Sequence, residues 1–331
     1  MSKKPYKKEK RETFFQKFTN FVLTVIVAVV ISSQMCTAAN NNLRFAQISD
    51  SHFSTFEENT SYKFLKKSPE LLDDVIFQIC TSGPYDFVIF TGDLVNKPKT
   101  NELVKFLAHA SKINCPWYAI NGNHDIAIDG PLTKDEFRKI LNGHNKYMSN
   151  QKLYYAFTPK KGFRVICLDS IIDYKLTSNG EISQEQLKWL KNELDDHKKD
   201  VIVLCTHVPI DEPYSSSNHK LINEDEVKAL LGKYSNPIIV LQGHYHCVRA
   251  KQKDNIIYIT SPSLVTFPNA YRVININSNK NRTMVDVFLK ETNLKDIQSR
   301  SKLRLFGVES LYGSEADRNT SFEIKKNKNK E

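Results

Sequence analysis

Glycine and proline are both scarce in these 331 residues, 11 and 12 in number, and no unit of 20 to 50 residues repeats along the chain. Collagenous and low-complexity chains are thereby excluded, and so are solenoids and propellers. Long apolar stretches are missing too. The longest, Phe21 to Ile31, is broken by Thr24 and falls short of the roughly 18 to 20 residues that span a bilayer. Beyond Cys36 only Cys80, Cys115, Cys167, Cys205 and Cys247 remain, an odd set without paired spacing and hence no disulfide framework. Cys167 and Cys205 lie in apolar runs and read as small buried hydrophobes. Charge of one sign is lacking where a polynucleotide would need it. Of the net +10, residues 1–39 carry +5 and residues 318–331 carry +3, which leaves +2 for everything between. A middle so nearly balanced offers no broad basic stripe for phosphate backbones, and no specific nucleic-acid binding is expected.

What is present is a chain 40% hydrophobic and 25% charged, enough apolar material for one sizeable core. At its start, seven basic residues between Lys3 and Lys17 precede the Phe21 to Ile31 run, and small residues follow as far as Ala38 and Ala39. This is the order of an export signal. The short apolar run favours a signal peptide, and an uncleaved membrane anchor with its positive end in the cytoplasm is the competing reading because the basic segment is long. Either way the folded part is expected outside the cytoplasm, periplasmic, extracellular or tethered to a membrane by its N-terminus. Residues 1–39 are therefore set apart as leader or anchor and 40–290 as the main folded domain. Residues 291–331 form a C-terminal extension whose charged end, Lys325 to Glu331, is expected to be disordered.

From residue 43 short apolar runs alternate with stretches of helical period. Leu43–Ser49, Phe87–Thr91, Trp117–Asn121, Arg164–Leu168, Val201–Cys205 and Ile238–Gln242 read as buried strands. Ser68-Pro69-Glu70 reads as an N-cap with proline at the first helical position, and Ser183-Gln184-Glu185-Gln186 as a capping box. Further helices are expected near 101–113, 133–141 and 224–234. This alternation argues for a layered α/β architecture. After residue 255, Ile256–Thr260, Tyr271–Ile276 and Thr283–Leu289 follow one another without helices, as an antiparallel portion or second sheet would.

Five of these strands end in side chains that bind metals. The first delivers Asp50 and His52, the second Asp93, the third Asn123, His124 and Asp125; Val201–Cys205 delivers His207, and Ile238–Gln242 delivers His244 and His246. Ligands of open α/β sheets bind outside the carboxyl ends of strands, so these groups can converge on one rim. Glycines Gly92, Gly122 and Gly243 let the chain turn off each strand. The rim offers more donors than one tetrahedral ion uses, which implies two ions. Oxygen and nitrogen donors without thiolate suit divalent or trivalent Mn, Fe, Zn or Co. A carboxylate between two ions would bridge them and hold a hydroxide for in-line attack on phosphorus.

The pattern resembles the calcineurin-like metallophosphoesterases, block by block and in family order: Asp50-Ser51-His52, Gly92-Asp93, Gly122-Asn123-His124-Asp125, His207, and Gly243-His244-Tyr245-His246. The resemblance implies a four-layer αββα sandwich of two mixed β-sheets flanked by helices, with a dinuclear site. Asp50, His52 and His246 would hold one metal, and Asn123, His207 and His244 the other, with Asp93 bridging. His124 would touch the phosphate and assist the leaving oxygen, with Asp125 orienting its ring. Gly92-Asp93-Leu94-Val95-Asn96, Leu168-Asp169-Ser170, the stretch Gly180 to Leu190 and His207-Val208-Pro209 look most like the class III cyclic-nucleotide phosphodiesterase branch. Purple acid phosphatases carry a metal-binding tyrosine where this chain has Asn96, so their Fe(III) centre is not implied.

The reading is a metal-dependent hydrolase of a small phosphoester, a phosphodiester and possibly a cyclic nucleotide being favoured. A phosphomonoesterase of the same fold, or a metal-bearing surface module without turnover, is the alternative. Residues 53–67, 126–152 and 208–223 would overhang the rim, with Tyr62, Tyr147, Tyr154 and Tyr214 as stacking candidates. Among the remaining histidines, His144 and His219 lie in stretches expected near the substrate, whereas His109 and His197 are expected to be solvated or locally bonded.

Overall fold

The apolar runs are four or five residues long, too short for buried helices, and rich in β-branched side chains that pack well on a pleated surface. The computed structural model describes residues 41–304 and 309–326; the segment expected to be a leader or anchor and residues 327–331 lie outside that range, whereas Lys325, expected to be disordered, ends a strand paired in the first sheet. The first strands are β1 (Asn41–Ile48), β2 (Phe87–Thr91) and β3 (Trp117–Ile120), which run parallel to one another. Helix α1 (Ser68–Ser82) links β1 to β2, and α2 (Thr100–Ala110) links β2 to β3. Right-handed crossovers in one direction place both helices on the same face. Helix α3 (Lys134–His144) packs against α2.

A second series repeats the plan. Strands β4 (Tyr155–Phe157) and β5 (Phe163–Cys167) pair antiparallel, after which α4 (Gln184–Asp196), β6 (Val201–Cys205), α5 (Glu224–Leu231) and β7 (Ile238–Gln242) continue it. Strand β8 (Arg249–Lys253) forms the edge, and β9 (Ile256–Thr260) returns parallel to β7. The chain then rejoins the first sheet through β10 (Ala270–Ser278), antiparallel to β1, and β11 (Arg282–Glu291). Short helices α6 (Lys295–Arg304), α7 (Glu309–Tyr312) and α8 (Glu315–Arg318) precede β12 (Asn319–Lys325), which pairs with β11.

Two six-stranded mixed sheets result, in the orders β12-β11-β10-β1-β2-β3 and β4-β5-β6-β7-β9-β8. With helices flanking them they make the four-layer α/β architecture. Strands β2, β6, β7 and β9 are buried at every residue, as strands covered on both faces must be. One hydrophobic core runs through both sheets. Phe45 and Phe87, both fully buried, stack at 4.7 Å within it, and truncating either costs about 3–5 kcal/mol. Among the described residues no helix is long and apolar enough to cross a membrane.

Two expected caps are corrected. Ser68 is already helical, and the N-cap is Lys67. The Ser68 hydroxyl instead accepts from the Ser54 backbone N–H at 2.8 Å and lies 2.7 Å from the Leu65 carbonyl, fastening the loop after β1. Ser183 does cap α4 by accepting from Gln186 N–H. The Gln186 side chain, however, bonds the backbone of Asp169 on both sides at 2.8 Å, so the reciprocal half of the box is absent.

Candidate metal centre

Each expected donor lies on the first turn beyond a strand, and these turns are held together by backbone bonds. Asp50 N–H donates to the Gly92 carbonyl at 3.1 Å and His52 N–H to that of Asp93 at 2.9 Å, while Gly243 N–H donates to the His207 carbonyl at 3.1 Å. Asp50, His52, Asp93, His244 and His246 all have positive φ, between 40° and 69°. Such conformations cost of order 1–3 kcal/mol each and persist where the surroundings fix them, typically at functional sites. Asp and His tolerate them better than most residues. Gly92, at φ 89°, leads into one such turn, and a Cβ there would lie 2.5 Å from His207 Nδ1. Gly122 has no positive φ. It is required because a Cβ would come within 2.2 Å of Asp93 Oδ1.

The side chains converge in two groups that share one carboxylate. Asp50, His52, Asp93 and His246 bring one ligand atom each within 4.8 Å of one another, and so do Asp93, His207 and His244. His52 Nε2 lies 3.5 Å from Asp93 Oδ2, and His207 Nε2 lies 3.5 Å from Asp93 Oδ1. His246 Nε2 is 3.2 Å from Asp50 Oδ1, and Asn123 Oδ1 is 3.2 Å from His207 Nε2. The expected ligands are therefore all brought to one place.

This donor set fits cations. His52 Nε2 and His246 Nε2 face each other at 3.0 Å, an arrangement two lone pairs cannot share without a proton or an ion. His244 Nε2 is buried with no hydrogen-bond partner among the described residues, a cost that a ligated ion removes. The outer contacts also aim the ligands. His207 Nδ1 stands 2.8 Å from the Thr91 carbonyl, which leaves Nε2 for the site. Asp50 accepts from the Ser49 hydroxyl at 2.5 Å and from His244 N–H at 3.0 Å.

Electrostatics bind the cluster together. Burial would raise the Asp93 carboxyl, but His207, His124 and His52 hold it well below the ordinary range. Burial would lower His207, yet Asp93 beside it lifts it to about 9. His244 is pushed down to about 3 by burial and by His207. His52 is driven well below its usual value by burial and by Lys63.

Asp125 departs from its expected role. Its carboxylate accepts from Val95 N–H at 2.9 Å and Gly122 N–H at 2.8 Å, bracing two ligand turns. It does not orient His124. That ring is set by the Asn96 carbonyl, 2.7 Å from Nδ1. The Asn96 side chain points instead to Glu57 Oε2 at 2.7 Å. Burial, reinforced by Asp93, raises the Asp125 carboxyl to about 7.

A cavity of about 410 Å³ opens over the two groups, lined by Tyr62, Lys63, His124, Tyr214, His219 and Leu311 among others. Tyr62, Tyr214 and His219 are thus placed over the site. Tyr154 is not, because it packs on Trp189 at 4.9 Å in a separate cleft. Tyr147 is exposed and absent from the cavity lining, and His144 bonds back to the Ile140 carbonyl of its own helix. His109 and His197 pair locally with Asp73 and Asp200. Lys63 lies in the 53–67 stretch expected over the rim but was not singled out, and Leu311 lies outside every stretch expected there.

The model of the calcineurin-like phosphoesterase family matches residues 43–248. A probable glycerophosphodiester phosphodiesterase from Arcobacter nitrofigilis is 28% identical over 66% of this chain and 77% of its own length. A probable cyclic nucleotide phosphodiesterase from Colwellia psychrerythraea is 26% identical over 62% and 72%. Among solved structures, a dimetal phosphatase from Danio rerio superposes with a TM-score of 0.60 at 16% identity, covering 86% of this chain and 99% of that one.

Proposed function

The chain belongs to the calcineurin-like phosphoesterase family and is a hydrolase of phosphoester bonds; from that premise we propose that it cleaves phosphodiesters with two transition-metal ions. The observation that carries this reading is the sharing of Asp93 between two groups of buried donors. Asp50, His52 and His246 would hold one ion, Asn123, His207 and His244 the other, with Asp93 between them. When bound, the ions neutralise charge on the phosphoryl oxygens and lower the pKa of a water to near neutrality.

The protein's own groups supply the rest. His124, anchored at Nδ1 by the Asn96 carbonyl, presents Nε2 to the departing ester oxygen and gives it a proton in the imidazolium form, which an anionic substrate favours. Most of the cage side chains are buried and held by hydrogen bonds, so little reorganisation is needed as charge develops. The cavity extends past the cage to neutral polar groups, Ser178, Ser216, Asn218 and Tyr214, which suit a second, uncharged ester arm. The phosphodiesterase names of relatives agree with that preference.

The test is hydrolysis of bis(4-nitrophenyl) phosphate beside 4-nitrophenyl phosphate by Mn-loaded protein, before and after chelation. Chelator-sensitive turnover that favours the diester is expected. Equal turnover with and without ions would remove the reading. We propose also that residues 1–39 direct the catalytic part out of the cytoplasm, because their basic segment precedes an apolar run and small residues. Cell fractionation with and without residues 1–39 tests that.

A further inference from the structure

Lys63 is buried without a salt bridge among the described residues, and the carboxylates of Asp93, Asp50 and Glu57 act on it only from further away. The residue is 5% exposed, yet among the described residues no carboxylate pairs with its ammonium group, and its side-chain contact is His52 Nδ1 at 3.3 Å. Lysines are almost never buried unless paired, because an isolated ammonium loses several kcal/mol of hydration. The other buried cation here, Arg272, is surrounded by four backbone carbonyls. Lys63 has no such shell.

Its position says what the missing partner is. Lys63 lines the cavity over the cage beside Tyr62 and His124, and it is the one lysine or arginine in that lining among the described residues. Its backbone is tied on both sides. Lys63 N–H donates to Thr60 Oγ1 at 2.9 Å, and Thr60 N–H to the Lys63 carbonyl at 3.0 Å. Phe64 N–H donates to the Val265 carbonyl at 2.7 Å, and Arg304 Nη1 reaches the Thr60 carbonyl at 2.6 Å. The backbone that carries this side chain is thus fixed before any ligand arrives, which lowers the entropic cost of using it.

We propose that Lys63 is a substrate-binding residue whose ammonium group takes a non-bridging oxygen of the phosphoryl group. This rests on the phosphoesterase reading, since the anion must sit at the cage for Lys63 to reach it. A charged hydrogen bond in a buried site is worth about ten- to a hundredfold in affinity.

The experiment titrates inorganic phosphate into the full chain loaded with Mn, by calorimetry, for wild type, Lys63→Met and Lys63→Arg. Ion content is measured on each sample. The expected result is unchanged ion content, phosphate binding weakened by about ten- to a hundredfold in Lys63→Met, and most of it regained in Lys63→Arg. Lys63→Gln, which is one atom shorter, polar and uncharged, replaces the Met variant if that one does not fold. Equal phosphate affinity in wild type and Lys63→Met overturns the proposal, as does an absence of phosphate binding by loaded wild type. Loss of ions from Lys63→Met overturns it too, by making Lys63 a positioning partner of His52. Failure of the hydrolase reading looks different: no turnover of the diester, with phosphate binding still dependent on Lys63.

Discussion

The Nδ1 atom of His124 stands 2.7 Å from the carbonyl oxygen of Asn96. A carbonyl only accepts, so Nδ1 keeps a proton in either charge state, and Nε2 faces the substrate and is the nitrogen that gains and loses one. His124 Nδ1 is thereby committed to the backbone rather than to the cage. His124→Asn is expected to lower kcat by about 10² to 10⁴ while ion content stays at the wild-type level. Steady-state rates and metal analysis of the same preparation check this. A variant that loses its ions would place His124 inside the cage instead.

Asp125 braces backbone, and its removal should register as stability. Its two acceptors serve Val95 N–H and Gly122 N–H in a fully buried setting. Asp125→Asn puts an amide donor against one of those N–H groups, for a loss of about 1–3 kcal/mol. Urea denaturation measures it. An unchanged midpoint would return Asp125 to the ring-orienting role expected from its motif.

Glu102 makes stability depend on acid. Burial pushes its carboxyl up, but Lys105 and the N–H and hydroxyl of Thr55, at 2.6 and 2.8 Å, outweigh burial and hold it below the ordinary glutamate value. A depressed folded pKa means the unfolded chain takes up its proton first. The stabilisation is therefore present above the unfolded pKa, roughly 4.3, and is lost as pH falls through the lower folded value. Glu102→Gln should be less stable at neutral pH and flatten the loss of stability below pH about 4. Thermal melts from pH 3 to 7 would show parallel curves for the two proteins if Glu102 is not responsible.

Arg272 ties the C-terminal segment to both sheets. From β10 its Nη1 donates to the carbonyls of Asp317 and Arg318 at 2.8 and 3.1 Å, and its Nη2 to those of Arg249 and Thr260, both at 3.2 Å. Leu311, in the same segment, lines the cavity and accepts from Val248 N–H at 2.8 Å. Arg272→Leu strands four carbonyls at about 1–3 kcal/mol each if none finds water. Faster hydrogen exchange at Val248 and Ala250 and a raised KM are expected. Exchange at the wild-type rate would show that the segment is held by other contacts.

The legible parts of this molecule are those where burial and chemistry coincide. Strands β2, β6 and β7 are apolar at nearly every residue because they are covered on both faces, and each ends in a donor that can be recognised by type. Strand β8 reads Arg-Ala-Lys-Gln-Lys and β12 is mostly exposed. Both are sheet edges, where charge guards against unwanted pairing and erases the apolar signal. Lys63 was hidden for another reason. It comes to the cage through a turn closed by Thr60 and a bond from Arg304, 241 residues further along the chain, and no local spacing encodes that. The ring-orienting role expected of Asp125 falls to Asn96 because the contact is made by a main-chain carbonyl, which every residue type possesses.

The central claim is met most directly by counting manganese in the full chain after loading and recording its electron paramagnetic resonance, for wild type and Asp93→Ala. Two ions per chain with a spin-coupled spectrum in wild type, and loss of the coupling in Asp93→Ala, is the predicted result. At most one ion per chain under every loading condition, or a coupled pair that survives without Asp93, would contradict the account.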